Sequence, residues 1–382
     1  METLILGWYV LTATGSVQSL VVFGSLAWLG TLFSPFFGVL GDRLGFRTLL
    51  CATRAAYALL AAILAGLTLA GRLEPWHVFT LAAIAGVMRP SDMMIRNVLV
   101  AQTMRREILL GALGFSRTTS DTARIGGALA GTGAVALVGM GPAYVAVTAL
   151  YVAAFLLSLG VAGRAPRTER TDVRKALTGL GQAVGYVWRA PDQLGAFGIA
   201  FFVNLLAYPF FLGLLPYVAK DVYAIGQAGL GYLAAAFATG ALLGSVIVSA
   251  SRVPLAAGRA MLISAAAWFV AILLFGQTHH LATGLVLLFI AGLVQSFCMT
   301  PLAAVMLRSA SEEMRGRVMG IRMLAVWGLP AGLLLAGPLI ERFGYSATTV
   351  LYGGLGLVLT IATGYRLRAA LWHRSAPANA HL

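Results

Sequence analysis

Apolar runs of about twenty residues follow one another along nearly the whole chain, separated by short polar turns. A helix rises 1.5 Å per residue, so about 20 residues cross the ~30 Å hydrocarbon core of a bilayer. So many long runs cannot all be hidden inside one soluble core. Charged residues make up only 10% of the sequence, hydrophobic residues 59%, and the mean hydropathy is +0.87. Soluble domains carry about 25% charged residues, so most of this surface must face something other than water. The expected fold is all-α and polytopic.

Taken in order, the runs predict a partial first helix ending near Leu11, then helices over Ser16–Leu40, Thr48–Ala70, Trp76–Val100, Leu110–Val138 and Tyr144–Val161. A charged stretch follows, with Arg164, Arg167, Glu169, Arg170, Asp172, Arg174 and Lys175. Six more helices are predicted over Leu194–Val218, Ala228–Ser251, Arg259–Phe275, Leu281–Leu307, Arg317–Ile340 and Ala347–Leu371. The expected organisation is a six-helix bundle over 1–162, a cytoplasmic linker over 163–193, a second six-helix bundle over 194–371, and a disordered cytoplasmic tail over 372–382. The two bundles would be parallel repeats about an axis along the membrane normal. Internal repetition is faint: Arg106 and Gly111 ahead of helix 5 are echoed by Arg315 and Gly320 ahead of helix 11. The Met1–Leu11 segment is too short to cross by itself. The reading preferred here is that the first helix is truncated at its N-terminus and that the natural start lies upstream.

The net charge of +14 would point to nucleic acid in a soluble chain. Here the basic residues fall at intervals in loops between apolar runs, which argues against nucleic-acid binding and for retention on one membrane face. Alternate loops hold Arg43/Arg47, Arg105/Arg106, the linker, Arg252/Arg259 and Arg308/Arg315/Arg317, and the tail region adds Arg366, Arg368 and Arg374. The opposite loops hold only Arg72, Lys220 and Arg342. The first set, with the linker and C-terminus, is therefore expected in the cytoplasm. Cys51 and Cys298 lie in apolar runs without ligand spacing and read as small core residues. No metal-binding or phosphate-loop motif occurs, so neither a metal nor another cofactor is expected, nor direct use of ATP.

Two helices carry charges inside their apolar runs. Helix 4 has Arg89, Asp92 and Arg96, spaced i, i+3, i+7; helix 5 has Arg117, Asp121 and Arg124, spaced i, i+4, i+7. Each spacing puts three groups on one helical face. A charge at bilayer depth costs at least about 2.5–3.5 kcal/mol, so such groups face a cavity or one another. Two readings follow: a polar wall of the transport path, or an ion-pair lock between helices 4 and 5 with no substrate contact. Glu2 would join this set as a proton carrier if the first helix continues upstream, or lie solvated at a frayed end. Asn204 and Gln295 either line a cavity or bond a neighbouring helix. Pro90, Pro209, Pro216, Pro301 and Pro330 mark kinks. Aromatic residues such as Tyr57, Tyr208, Trp268 and Trp327 form either a greasy pocket or interhelical packing.

The turn after helix 2 reads Gly38-Val-Leu-Gly-Asp42-Arg43-Leu-Gly45-Phe-Arg47. Its G-x-x-x-D-R-x-G-x-R pattern resembles the loop between helices 2 and 3 of the major facilitator superfamily, where it belongs to the cytoplasmic gate. Asp92-Met-Met-Ile-Arg96, Asp121-Thr-Ala-Arg124-Ile-Gly126 and Glu313-Met-Arg315-Gly316-Arg317 resemble signatures of the branch that includes the enterobactin exporter and macrolide efflux proteins. The likeness extends over essentially the whole chain. Two departures stand out. Gly126-Gly127 replaces the Gly-Pro that the family associates with antiport, and Asp121 replaces what is more often an amide.

The resemblance implies a non-enzymatic secondary transporter in the bacterial cytoplasmic membrane, working as a monomer by alternating access. It would export a small amphipathic, drug- or siderophore-like compound in exchange for protons. The two bundles would rock about a central cavity, with Asp42 pairing with Arg96 or capping helix 11 to hold the cytoplasmic side shut. Asp92 and Asp121 are the proton-coupling candidates. An uptake permease, a non-transporting receptor or scaffold, and a membrane-embedded enzyme are the alternatives. The arginine-rich wall favours anionic or neutral substrates over cationic ones.

Overall fold

The computed structural model describes residues 2–31, 40–41, 43–103, 109–161, 185–250, 257–308, 322 and 324–372. These residues are helical with short turns, and no strand occurs among them. α1 is Glu2–Thr14, α2 Val17–Leu26, α3 Phe46–Leu69, α4 Pro75–Thr103, α5 Leu109–Val138 and α6 Met140–Leu159. α7 is Pro191–Leu206, α8 Gln227–Ala250, α9 Ala257–Phe275, α10 Leu281–Arg308, α11 Gly328–Phe343 and α12 Tyr345–Arg366. Among the described residues, six helices are long and apolar enough to cross a membrane: α3, α6, α8, α9, α10 and α12. α4 and α5, at 29 and 30 residues, are longer than a bilayer requires, and each carries three charges.

The joints follow local chemistry. Gly15 takes a positive φ of 65° and ends α1; the Ser16 hydroxyl then caps α2 by accepting from the Ser19 amide at 3.2 Å. Gly139 (φ 83°, ψ 172°) joins α5 to α6, and Gly344 (φ 82°, ψ 167°) joins α11 to α12 in nearly the same conformation. This matched pair of joints, six helices apart, is a clearer sign of repetition than the Arg-Gly echo in the sequence.

Four predicted spans are interrupted: Arg317–Ile340 by a turn at 326–327 ahead of α11, Ala347–Leu371 by a turn at Leu367 before a short piece, Arg368–Leu371, and two others more deeply. Helix 2 was expected to run unbroken to Leu40, but α2 stops at Leu26 and a 3-10 turn follows over Leu29–Thr31. The chain there is pressed onto α4: a Cβ at Gly30 would run into the carbonyls of Gly86 and Val87, and one at Gly86 into the Leu26 carbonyl. The predicted helix over Leu194–Val218 is α7 followed by short pieces, Tyr208–Leu212 and Leu215–Tyr217, and a π-helical turn, Val218–Val222. Pro209 and Pro216 remove the amides that would continue it.

The described chain forms two compact units. The first takes described residues of Met1–Leu177, Leu212–Ala235 and Leu333–Pro338. Its core gathers Ile5, Leu6 and Val10 of α1, Phe23 of α2, Ala61 and Leu64 of α3, Leu81 of α4, and Tyr144 and Val147 of α6. The second takes described residues of Thr178–Phe211, Ala236–Gly332 and Leu339–Leu382. Aromatic rings dominate its core: Phe211 stacks on Phe237 at 4.8 Å, Trp268 and Phe275 are buried beside Phe211, and the buried Phe269 ring packs on Gly356 of α12. Here α8 and α10 meet backbone to backbone, because a Cβ at Gly240 would strike the Phe289 carbonyl and one at Gly292 the Phe237 carbonyl. Outward faces carry exposed Leu59, Leu137, Leu150, Leu157, Val358 and Ile361. In water so much exposed apolar surface would drive aggregation; in a bilayer it is the solvated face.

Candidate functional site

Charged and polar side chains from α1, α3, α4, α5 and α6 meet inside the first unit. At their centre is Asp92, half-buried on α4. Its Oδ1 lies 2.5 Å from Arg54 Nη2 of α3, and its Oδ2 lies 3.5 Å from Arg96 Nε one turn along α4. Arg96 then donates through Nη1 to Ser120 Oγ of α5 at 3.1 Å. One carboxylate thus ties α3 to α4, and an arginine that it holds ties α4 to α5. Both Asp92 and Arg54 keep side-chain exposures of 18%, so the pair is shielded enough for its attraction to count.

A second group sits on the same helix. Arg89 donates through Nη2 to Thr3 Oγ1 of α1 at 2.8 Å, and its guanidinium lies 6.0 Å from the Trp28 ring centroid. Glu2 Oε2 accepts from the Tyr151 hydroxyl of α6 at 2.6 Å, and Tyr151 stacks on Tyr57 of α3 with centroids 5.6 Å apart. On α5, Asp121 lies 3.9 Å from Arg124, whose side chain is 64% exposed; this pair is weak.

The stripes read from the sequence therefore divide. Asp92 and Arg96 pair with each other and Arg89 turns to Thr3 of α1 and to Trp28 just past α2, while the carboxylate's strongest partner is Arg54, which the sequence reading passed over. Arg117 lies in α5 but its side chain is outside the described residues. Between α4 and α5, Arg96 donates a hydrogen bond to Ser120. Of the loop motif, Gly38 and Asp42 lie outside the described residues, as do Arg315, Gly316 and Arg317 before α11. Gly45 takes a φ of 85° immediately before α3, exposed Arg43 precedes it, and Arg47 donates to the Leu159 carbonyl at the end of α6 at 2.5 Å. In the second unit, Gln295 donates through Nε2 to the Tyr208 hydroxyl at 2.8 Å, and Tyr208 meets Trp268 edge-on. Asn204 donates back to the Ala200 carbonyl of its own helix at 2.8 Å. Among the described residues no group of His, Cys, Asp or Glu could hold a metal, and both cysteines are free.

An all-helical membrane protein with an ion-pair network at the depth of its spans is built like a solute carrier. The Major Facilitator Superfamily family model matches residues 3–333 and 198–377, and the chain belongs to that superfamily. It is 28% identical over 384 residues to the multidrug efflux pump Tap of Mycobacterium tuberculosis, covering 95% of this chain and 88% of that protein. In fold it is similar to the nucleoside transporter NupG (TM-score 0.67, 15% identity, 96% of this chain and 94% of the other). A D-xylose–proton symporter is similar too (TM-score 0.70, 14% identity, 94% of each chain). The protein is thus a multi-pass membrane transporter and not an enzyme.

Proposed function

We propose that the protein exports small amphipathic organic compounds across the cytoplasmic membrane by alternating access, with proton influx as the driving force. The observation that carries this reading is the likeness to an efflux pump over nearly the full length of both chains. Uptake carriers share the fold, so direction is the part most in need of a test. Proton coupling is assigned to the carboxylates of the first unit: Glu2, Asp92 and Asp121. Asn204 and Gln295 are assigned to the substrate path in the second unit. Arg43, Gly45 and Arg47, with Gly38 and Asp42, act as the cytoplasmic gate together with the Arg315-Gly316-Arg317 loop. The C-terminus is assigned to the cytoplasmic side, a reading supported by the basic loops, and the working unit is assigned as the monomer.

Expression in an efflux-deficient bacterial host tests direction. Cells should accumulate several-fold less of at least one dye or drug than cells carrying the empty vector, and a protonophore should abolish the difference. Higher accumulation in expressing cells would contradict export and establish uptake. The Asp92→Asn/Asp121→Asn double variant should insert normally yet lose transport driven by a pH gradient. Retained gradient dependence would remove both carboxylates from the coupling path.

A further inference from the structure

We propose that the carried compound bears an anionic group, a carboxylate or its equivalent, and that this group seats on Arg89. The inference rests on the carrier reading above and names the substrate class of the same site. Arg89 stands midway along the 29-residue α4, where an uncompensated cation is costly. Arg54, Arg96 and Arg124 each have a carboxylate within 4 Å, whereas no carboxylate of the described residues comes that close to Arg89. Its partners are the neutral Thr3 hydroxyl and the face of Trp28. They aim the guanidinium without neutralising it. A guanidinium offers five N–H donors in a fork that fits a carboxylate edge-on, and the Thr3 bond occupies one.

The surroundings suit an aromatic acid. The stacked pair Tyr57–Tyr151 is tied through the Tyr151 hydroxyl to Glu2, the chain neighbour of the Thr3 that holds Arg89, so a ring attached to the anion has aromatic surface nearby. Glu2, bonded to the Tyr151 hydroxyl, adds one negative charge to this neighbourhood. It favours a compound with a single anionic group over a dianion.

Counterflow into proteoliposomes tests the seat, using 1-naphthylacetate, its neutral analogue 1-naphthylacetamide and the cationic dye ethidium, each corrected for protein-free liposomes. The wild type should carry the acid at least tenfold faster than the amide. Arg89→Gln should bring the two rates together, and Arg89→Lys, which keeps the charge and loses the fork, should restore part of the preference. Monodisperse elution of each variant guards against misfolding. Equal rates in the wild type, carriage of ethidium alone, or an undiminished preference in Arg89→Gln would overturn the anion seat and leave the carrier reading standing. Carriage of none of the three would likewise overturn the anion seat, while membership of the carrier family rests on the match over the chain.

Discussion

At Asp92 two arginines from two helices converge on one carboxylate, and the balance there is between desolvation and attraction. Removing the charge leaves Arg54 and Arg96 with no described anionic partner at membrane depth, which is the expensive way to break such a group. Asp92→Asn is therefore expected to destabilise the protein by about 1–3 kcal/mol, less than a fully buried pair would lose because Arg96 is partly exposed. Arg54→Gln combined with Asp92→Asn should cost less than the sum of the two single changes. Thermal unfolding of the four proteins in one detergent measures that coupling; strict additivity would show that the contact contributes nothing. The sequence showed Asp92 and Arg96 as neighbours on one face, because their spacing is a property of a single helix. Arg54 was a lone arginine in an otherwise apolar run, with no partner three or four residues away. Its partner is 38 residues distant, and only tertiary packing supplies it. The signal that could have found it is its position, since any charge inside a span needs an explanation.

Helix positions and lengths were legible because hydrophobic run length and bilayer thickness impose them, and most observed ends fall within a few residues of the expected ones. The breaks were not. α2 ends early without a proline, where Gly30 and Gly86 let two backbones close together, and no periodicity encodes a contact between segments 56 residues apart. Pro209 and Pro216 did announce the interruption after α7, although the π-helical turn they lead into was not foreseen. Close approach at glycines also separates two classes of substitution. Gly240→Ala and Gly292→Ala each push a methyl into a facing carbonyl and should cost about 1–3 kcal/mol. Gly126, with open space around its missing Cβ, should accept alanine with a change of about 0.5 kcal/mol or less. Thermal midpoints measured side by side check this; a Gly126→Ala loss equal to that of Gly240→Ala would contradict the packing account.

For the molecule as a whole, composition and run pattern led to a polytopic membrane protein and the motif resemblance to a carrier, while the identity of the carried compound had no counterpart in any of them. Sidedness is the first whole-molecule expectation. A cysteine placed at Arg374 in a background lacking Cys51 and Cys298 should react with a membrane-impermeant maleimide only after cells are opened, and one at Arg72 should react in intact cells. The reverse pattern would invert the topology, and with it the direction of transport. The central claim, coupled movement of an organic compound, is tested most directly by proton flux in proteoliposomes challenged with dyes, drugs and siderophores. The account predicts that at least one compound, added on the side from which it is exported, drives a counter-directed proton movement that the Asp92→Asn/Asp121→Asn variant lacks. Compound movement with no accompanying proton flux would contradict the coupled mechanism.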